Sequence, residues 1–192
     1  MRYSEDLDKL FDTASNNALN MDSTQVCAPH IVEAAMEFEY VHAALEKSGV
    51  DMDKLMQDIH AECEASPKIG ATTANRYKVS GIRRQMRLSS EVQNILLKAS
   101  KLAENEEVWK TNYLEMSHLM MSIMSDCSCK TLNQHLNGDG KGSNSKLNRF
   151  LNELINFESK ERGIPAKKLD FTLAAQLLDE MLRMMNMLEE EM

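Results

Sequence analysis

Ala28-Pro29-His30-Ile31-Val32-Glu33-Ala34-Ala35-Met36 reads as the opening of a helix. Pro29 suits a first helical position, where the N–H that proline lacks would have had no partner anyway. Ile31, Val32, Ala35 and Met36 then recur at helical spacing. Met116-Ser117-His118-Leu119-Met120-Met121-Ser122-Ile123-Met124 is a second version of the stretch, with His118 answering His30 at an offset of 88. The flanks repeat as well. Leu7, Leu10, Phe11, Ala14 and Ala18 share their spacing with Val92, Ile95, Leu96, Ala99 and Ala103, at an offset of 85. Ser4 and Ser89 stand three residues ahead of each stripe, where N-caps belong. Asp51-x-x-Lys54-Leu55-x-x-x-Ile59 answers Ser143-x-x-Lys146-Leu147-x-x-x-Leu151 at an offset of 92. Three matches in one order, with small differences in loop length, define an internal repeat.

The periodicity predicts helices over about Ser4–Asn20, Pro29–Lys47 (one element, stopping near Gly49), Asp51–Glu64, Ser89–Glu106, Glu115–Ser125 and Ser128–Leu136. Leu147, Phe150, Leu151, Leu154 and Ile155 form a further stripe after the glycine-rich loop Gly138–Ser145. A last helix begins near Leu169 and ends in Glu189-Glu190-Glu191, where negative charge opposes the helix dipole and favours fraying. Residues 65–88 read as a linker between the repeats. Strand signals are almost absent, and three Pro and seven Gly fall mostly between the periodic segments. The expected class is all-α.

This pattern resembles the duplicated N-terminal domain of the Clp family of AAA+ unfoldases. The residues that carry the resemblance are Ser4–Ala18, Cys27–Met36 and Gly49-Val50-Asp51-Met52-Asp53-Lys54-Leu55 in the first copy. The second copy matches in its first two helices but has Asn137-Gly138-Asp139-Gly140-Lys141-Gly142 in place of the Gly-Val-Asp step. The resemblance implies a pseudo-twofold duplicated helical repeat of about eight helices. Residues 1–156 would form the double Clp-repeat domain, with repeat one at 3–64, a linker at 65–88 and repeat two at 89–156. Residues 157–192 would be a C-terminal helical extension outside the resemblance.

A chain of 192 residues with 43% apolar content is long enough to bury a sizeable core. Its formal charge of −8 and pI near 5.2 argue against nucleic acid as the main partner. The start, Met1-Arg2-Tyr3-Ser4-Glu5-Asp6, lacks the apolar core of a signal peptide, and no run of 18 apolar residues is long enough to span a membrane. Cys27, Cys63, Cys127 and Cys129 follow no disulfide framework, so reduced thiols in a cytoplasmic protein are the expectation.

Catalytic chemistry finds little footing. Gly138-Asp139-Gly140-Lys141-Gly142-Ser143 is no P-loop: Gly142 stands where the magnesium-binding Ser or Thr belongs, and no glycine lies at the required earlier position. The ATPase module is therefore expected outside these 192 residues. Cys127-x-Cys129 with His135, and Cys27-x-x-His30, are possible ligand clusters, but neither has the paired ligand sets of structural zinc. The repeat offers His30 and His118 another role, bonding backbone at equivalent helix starts. No motif places a base and an orienting group around a cysteine. The expectation is no catalytic residue, no metal and no cofactor.

What remains points to binding. Met is abundant at 15 residues. Met116, Met120, Met121 and Met124 read as core, whereas Met181, Met184 and Met185 sit on a wide apolar face that could pack back, pair with a second copy or lead into a further domain. Arg76, Lys78, Arg83, Arg84 and Arg87 form a basic stretch without acids from residue 75 to 90. It reads either as a solvated linker or as a contact for an acidic partner. The resemblance implies a non-catalytic module that binds protein or peptide substrates and adaptor proteins above a Clp ATPase ring, as in ATP-dependent proteases. The groove between the repeats is its expected docking place, with Arg83, Arg84 and Arg87 as rim charges. The carboxylate that some family members use for phosphoarginine is absent at Pro29 and Ser117. A second reading is a free-standing accessory or adaptor protein of the same fold that modulates a Clp ATPase, with homo-oligomerisation through the C-terminal helix. A third is a small helical metalloenzyme.

Overall fold

The structure, a computed structural model, describes residues 2–70, 86–105, 111–137, 145–163, 165, 174 and 176. In chain order the elements are β1 (Arg2–Tyr3), α1 (Glu5–Asn20), α2 (Ala28–Ala35), α3 (Glu39–Lys47), α4 (Met52–Glu64), α5 (Ser90–Glu104), β2 (Tyr113–Leu114), α6 (Met116–Ser125), α7 (Lys130–Asn137) and α8 (Lys146–Arg162). The protein is all-α apart from the short strand pair, and α1–α4 recur as α5–α8.

The repeat is visible in the caps. The Ser4 hydroxyl accepts from the Leu7 N–H at 3.4 Å, and the Ser89 hydroxyl from the Val92 N–H at 3.2 Å. Each satisfies one orphan donor of a first turn. The buried stripe of α1 (Leu7, Leu10, Ala14, Ala18) has its counterpart in α5 (Val92, Ile95, Ala99, Ala103). Asp51 caps α4 by accepting from the Lys54 N–H, and Ser145 caps α8 by accepting from the Asn148 N–H. The second cap thus falls two residues after Ser143, the partner that the sequence pattern pairs with Asp51, although Leu147 and Leu151 remain the buried counterparts of Leu55 and Ile59.

The backbone also pairs twice across the repeats, in the same way each time. Arg2 and Tyr3 run parallel to Tyr113 and Leu114, and the Ser4 N–H donates to the Leu114 carbonyl at 3.1 Å. Leu88 lies parallel to Val26, and the Ser89 N–H donates to the Val26 carbonyl at 2.9 Å. Helix packing is reciprocal too: α3 of the first repeat packs on α8 of the second, and α7 of the second packs on α4 of the first. This is the self-complementary geometry of a twofold dimer, written into one chain.

Two expectations need correction. The single helix expected over 29–47 is two helices. The Glu37 N–H bonds the Ala34 carbonyl and the Phe38 N–H bonds the Ala35 carbonyl, a tight turn that closes α2 before Phe38 starts α3 in extended backbone. Neither Gly nor Pro marks this break. Tertiary packing produces it, because Met36 and Phe38 both turn against the core. The strand pair was likewise without a sequence signal, since two residues per strand are too few for any period. Gly49 does stop α3 as expected, at φ +86°, and Gly163 ends α8 in the left-handed conformation at φ +64°.

Every residue from Met116 to Met124 is buried, so Met116, Met120, Met121 and Met124 are core. The loop over 138–144 and the helix expected from Leu169 lie outside the described residues, apart from Ala174 and Gln176. Both of these are helical, and Ala174 is buried.

Candidate functional site

Two histidines fix the frame of the site. His30 and His118 each occupy the third position of a helix, α2 and α6. Through Nδ1 each accepts the backbone N–H of the residue that precedes its helix, Cys27 at 3.1 Å and Glu115 at 3.1 Å. An accepting Nδ1 places the proton of a neutral imidazole on Nε2, and His30 Nε2 lies 3.2 Å from the Ser23 hydroxyl. Both imidazoles are fully buried. They pin the two segments, Val26 and β2, that pair with the opposite repeat.

A groove follows the seam where β1, the start of α1 and α3 meet β2 and α8. Its first part encloses about 620 Å³ and its second, along α3 and α8, about 430 Å³. Tyr40 and Phe157 border both parts. Their rings are stacked, with centroids 4.2 Å apart and planes 2° apart, and Phe38 meets Tyr40 edge-on at 5.9 Å. Tyr3 contacts Phe11 at 5.8 Å, and Tyr113 lies under the Arg162 guanidinium at 4.8 Å. Among the described aromatic residues, only the core residue Phe150 stands apart from this seam. Tyr3 is 42% exposed and Phe157 37%.

The polar side of this groove is acidic. In its first part Glu5, Asp6, Glu115, Glu158 and Glu161 face Arg162, and in its second Glu39 and Glu153 flank Lys47. Arg162 donates from Nε to Glu115 at 2.9 Å. Glu158 is buried and accepts from both the Ser117 N–H at 2.8 Å and the Ser117 hydroxyl at 2.5 Å. A carboxylate therefore does reach the Ser117 position, but from α8, and it is committed to the start of α6. Burial raises the Tyr40 phenol well above its usual range, and Asp6, Glu158 and Glu115 add to the shift.

A second groove of about 1050 Å³ lies on the first repeat alone, over α1, α2 and α4. Met21, Met36 and Met56 give it an apolar floor, and His60 lies 2.7 Å from Glu33 at its edge.

The sequence-derived site residues fall mostly outside the described part. Arg83, Arg84, Met181, Met184 and Met185 all do. Arg87 is exposed, its carbonyl accepts the Val26 N–H, and it lines neither groove. The cysteine–histidine clusters have other partners. Cys129 contacts Glu62 at 3.6 Å and His135 contacts Asp58 at 3.0 Å. Among the described residues no three His, Cys, Asp or Glu groups gather in metal-binding geometry, and no helix is long and apolar enough to cross a membrane.

Paired caps, reciprocal packing and mirrored strand bridges define a duplicated helical-repeat domain. The chain belongs to the family of the Clp repeat (R) N-terminal domain, whose family model matches residues 2–107. Its fold is similar to that of the Hsp104 N-terminal domain from Candida albicans, at 12% identity and a TM-score of 0.60, covering 91% of this chain and 99% of that one. It is also similar to a protein from a study of a malarial protein secretion system, at 15% identity and a TM-score of 0.53, covering 72% and 84%. A third similar structure comes from work on the coevolution of the ATPase ClpV, the TssB–TssC sheath and the accessory HsiE protein in type VI secretion. It shares 15% identity and a TM-score of 0.50, covering 84% and 86%. No curated protein matches the sequence.

Proposed function

We propose that this chain is the non-catalytic substrate- or adaptor-binding N-terminal domain of a Clp-type AAA+ unfoldase, and that it docks peptides or partner helices in the groove along its inter-repeat seam. The observation that carries this reading is the gathering of six aromatic side chains on one seam, two of them more than a third exposed, in a chain only 5% aromatic. Rigid rings with polar edges supply large contact area at low entropic cost, and they mark places where proteins accept other chains. Phe11, Phe38 and Tyr40 pack against the edge of the core, whereas Tyr3 and Phe157 stay more than a third exposed.

The test is a photo-crosslinking amino acid placed at Phe157 or, as a control, at Leu97, which is 50% exposed on α5. With a denatured model protein as bait, the Phe157 probe captures it and the Leu97 probe does not. Equal capture at both places, or none at Phe157, would remove the seam as the docking surface.

A further inference from the structure

The seam groove carries a charge pattern that selects among partners. In its first part five carboxylates face a single guanidinium; Glu115 is paired with Arg162 and Glu158 with Ser117, while Glu5 and Asp6 sit in the first turn of α1. Acids at that place neutralise the positive end of the helix dipole, so the turn repels anions rather than cradling them. Arg162 shows in cis how the groove holds a cation: its guanidinium lies 4.8 Å from the Tyr113 ring centre while Glu115 accepts from it at 2.9 Å. Next to this acidic half runs a strip of Tyr40, Ala43, Ala44 and Phe157, edged by Glu39 and the Lys47–Glu153 ion pair. The first-repeat groove differs: Lys68 stands among Glu33, Glu37 and Glu64 there, and Met21, Met36 and Met56 line it in place of aromatic rings.

We infer that the seam groove takes a cationic protein segment, in which a lysine or arginine stands beside an aromatic or aliphatic residue. The inference rests on the docking function proposed above and narrows its partner class. The apolar side chain lies on the Tyr40–Phe157 strip, while the cation enters the carboxylates at the start of α1 and the end of α8. Charge complementarity of this kind sets specificity and speeds encounter, and salt weakens it.

The probe is a short fluorescein-labelled peptide of lysine, phenylalanine and serine, compared with twins carrying glutamate or serine in place of lysine. Each is titrated against the full chain by fluorescence anisotropy at low and high salt. The lysine peptide binds about tenfold or more tighter than either twin, and added salt narrows the gap. The double variant Glu5→Lys/Glu161→Lys, at two exposed positions, weakens it about tenfold or more while helicity and Tm hold, and Glu64→Lys in the other groove leaves it unchanged. Three outcomes overturn the inference: equal binding of all three peptides, no effect of the double reversal, or no binding of the lysine peptide. If the serine twin still binds in a way that Phe157→Ala abolishes, seam docking stands and only the charge preference falls. If no peptide binds at any salt, both readings fall.

Discussion

Tyr40 of α3 lies flat on Phe157 of α8, and this stack joins the two repeats across one of their two reciprocal interfaces. The Lys47–Glu153 ion pair at 2.8 Å lies on the same interface. The other interface, α4 on α7, is built from different parts. Glu62 of α4 caps α7 by accepting the Lys130 and Thr131 N–H groups at 3.1 and 3.0 Å, and Asp58 pairs with His135. Two interfaces of one pseudo-symmetric design thus carry unlike chemistry, and only one of them carries the stacked rings.

Removing the stack should weaken both fold and function. Phe157→Ala costs about 1–3 kcal/mol, since the ring is partly exposed and its stacking adds to ordinary burial. Tyr40→Phe keeps the stack but removes the hydroxyl from beside Asp6, and costs about 0.5–1.5 kcal/mol. Urea unfolding of both variants measures these differences.

Glu62 and Glu158 each reach from a neighbouring helix to cap another, α7 and α6 respectively. Glu158→Ala leaves the Ser117 N–H and hydroxyl buried without their acceptor and costs about 2–4 kcal/mol. Glu62→Ala acts at a more exposed helix start and costs about 0.5–2 kcal/mol. Chemical denaturation that ranks Glu62→Ala as the more damaging change would contradict this assignment.

His30 makes the fold sensitive to mild acid. Burial lowers its pKa; Lys68 acts the same way and Glu33 opposes. A protonated ring could no longer accept the Cys27 N–H. Because the folded-state value is depressed, the stabilisation is fully present above the unfolded value of about 6.5 and is lost as pH falls from there through the lower folded-state value. His30→Gln keeps an acceptor at the capping position and removes the titration. Its Tm should fall less between about pH 7.5 and 5.5 than that of the parent chain.

The four thiols should react in a fixed order. Cys127 is exposed, Cys27 is half-buried, and Cys63 and Cys129 are buried. Burial pushes the Cys63 and Cys129 thiols far above their usual range. Brief iodoacetamide treatment of the native chain, read by mass spectrometry, labels Cys127 first and spares Cys63 and Cys129 until denaturant is added.

How far the sequence speaks for this molecule depends on how local each signal is. The caps Ser4 and Ser89, the helix-start histidines and the apolar stripes are local, and all lie where their spacing puts them. The break at Met36–Phe38 was illegible because long-range packing turns the chain there, with no residue that favours a turn. The aromatic seam was illegible for a similar reason. Tyr3, Tyr40, Tyr113 and Phe157 are far apart in the chain and share no period, so only the β1–β2 pairing and the packing of α3 on α8 bring them together. The chain has ten aromatic residues, and nothing in their spacing separates the six that gather at the seam. The linker arginines, by contrast, are legible as a cluster because they stand close together in sequence.

Under the proposed function the partner docks on the seam and not in the larger groove on the first repeat. Amide chemical-shift mapping of the labelled chain, titrated with the lysine–phenylalanine peptide, tests it most directly. Docking at the seam concentrates the shifts in β1, the first turn of α1, α3 and residues 153–162 of α8. Shifts concentrated instead around Met21, Met36, Met56 and His60 would contradict it.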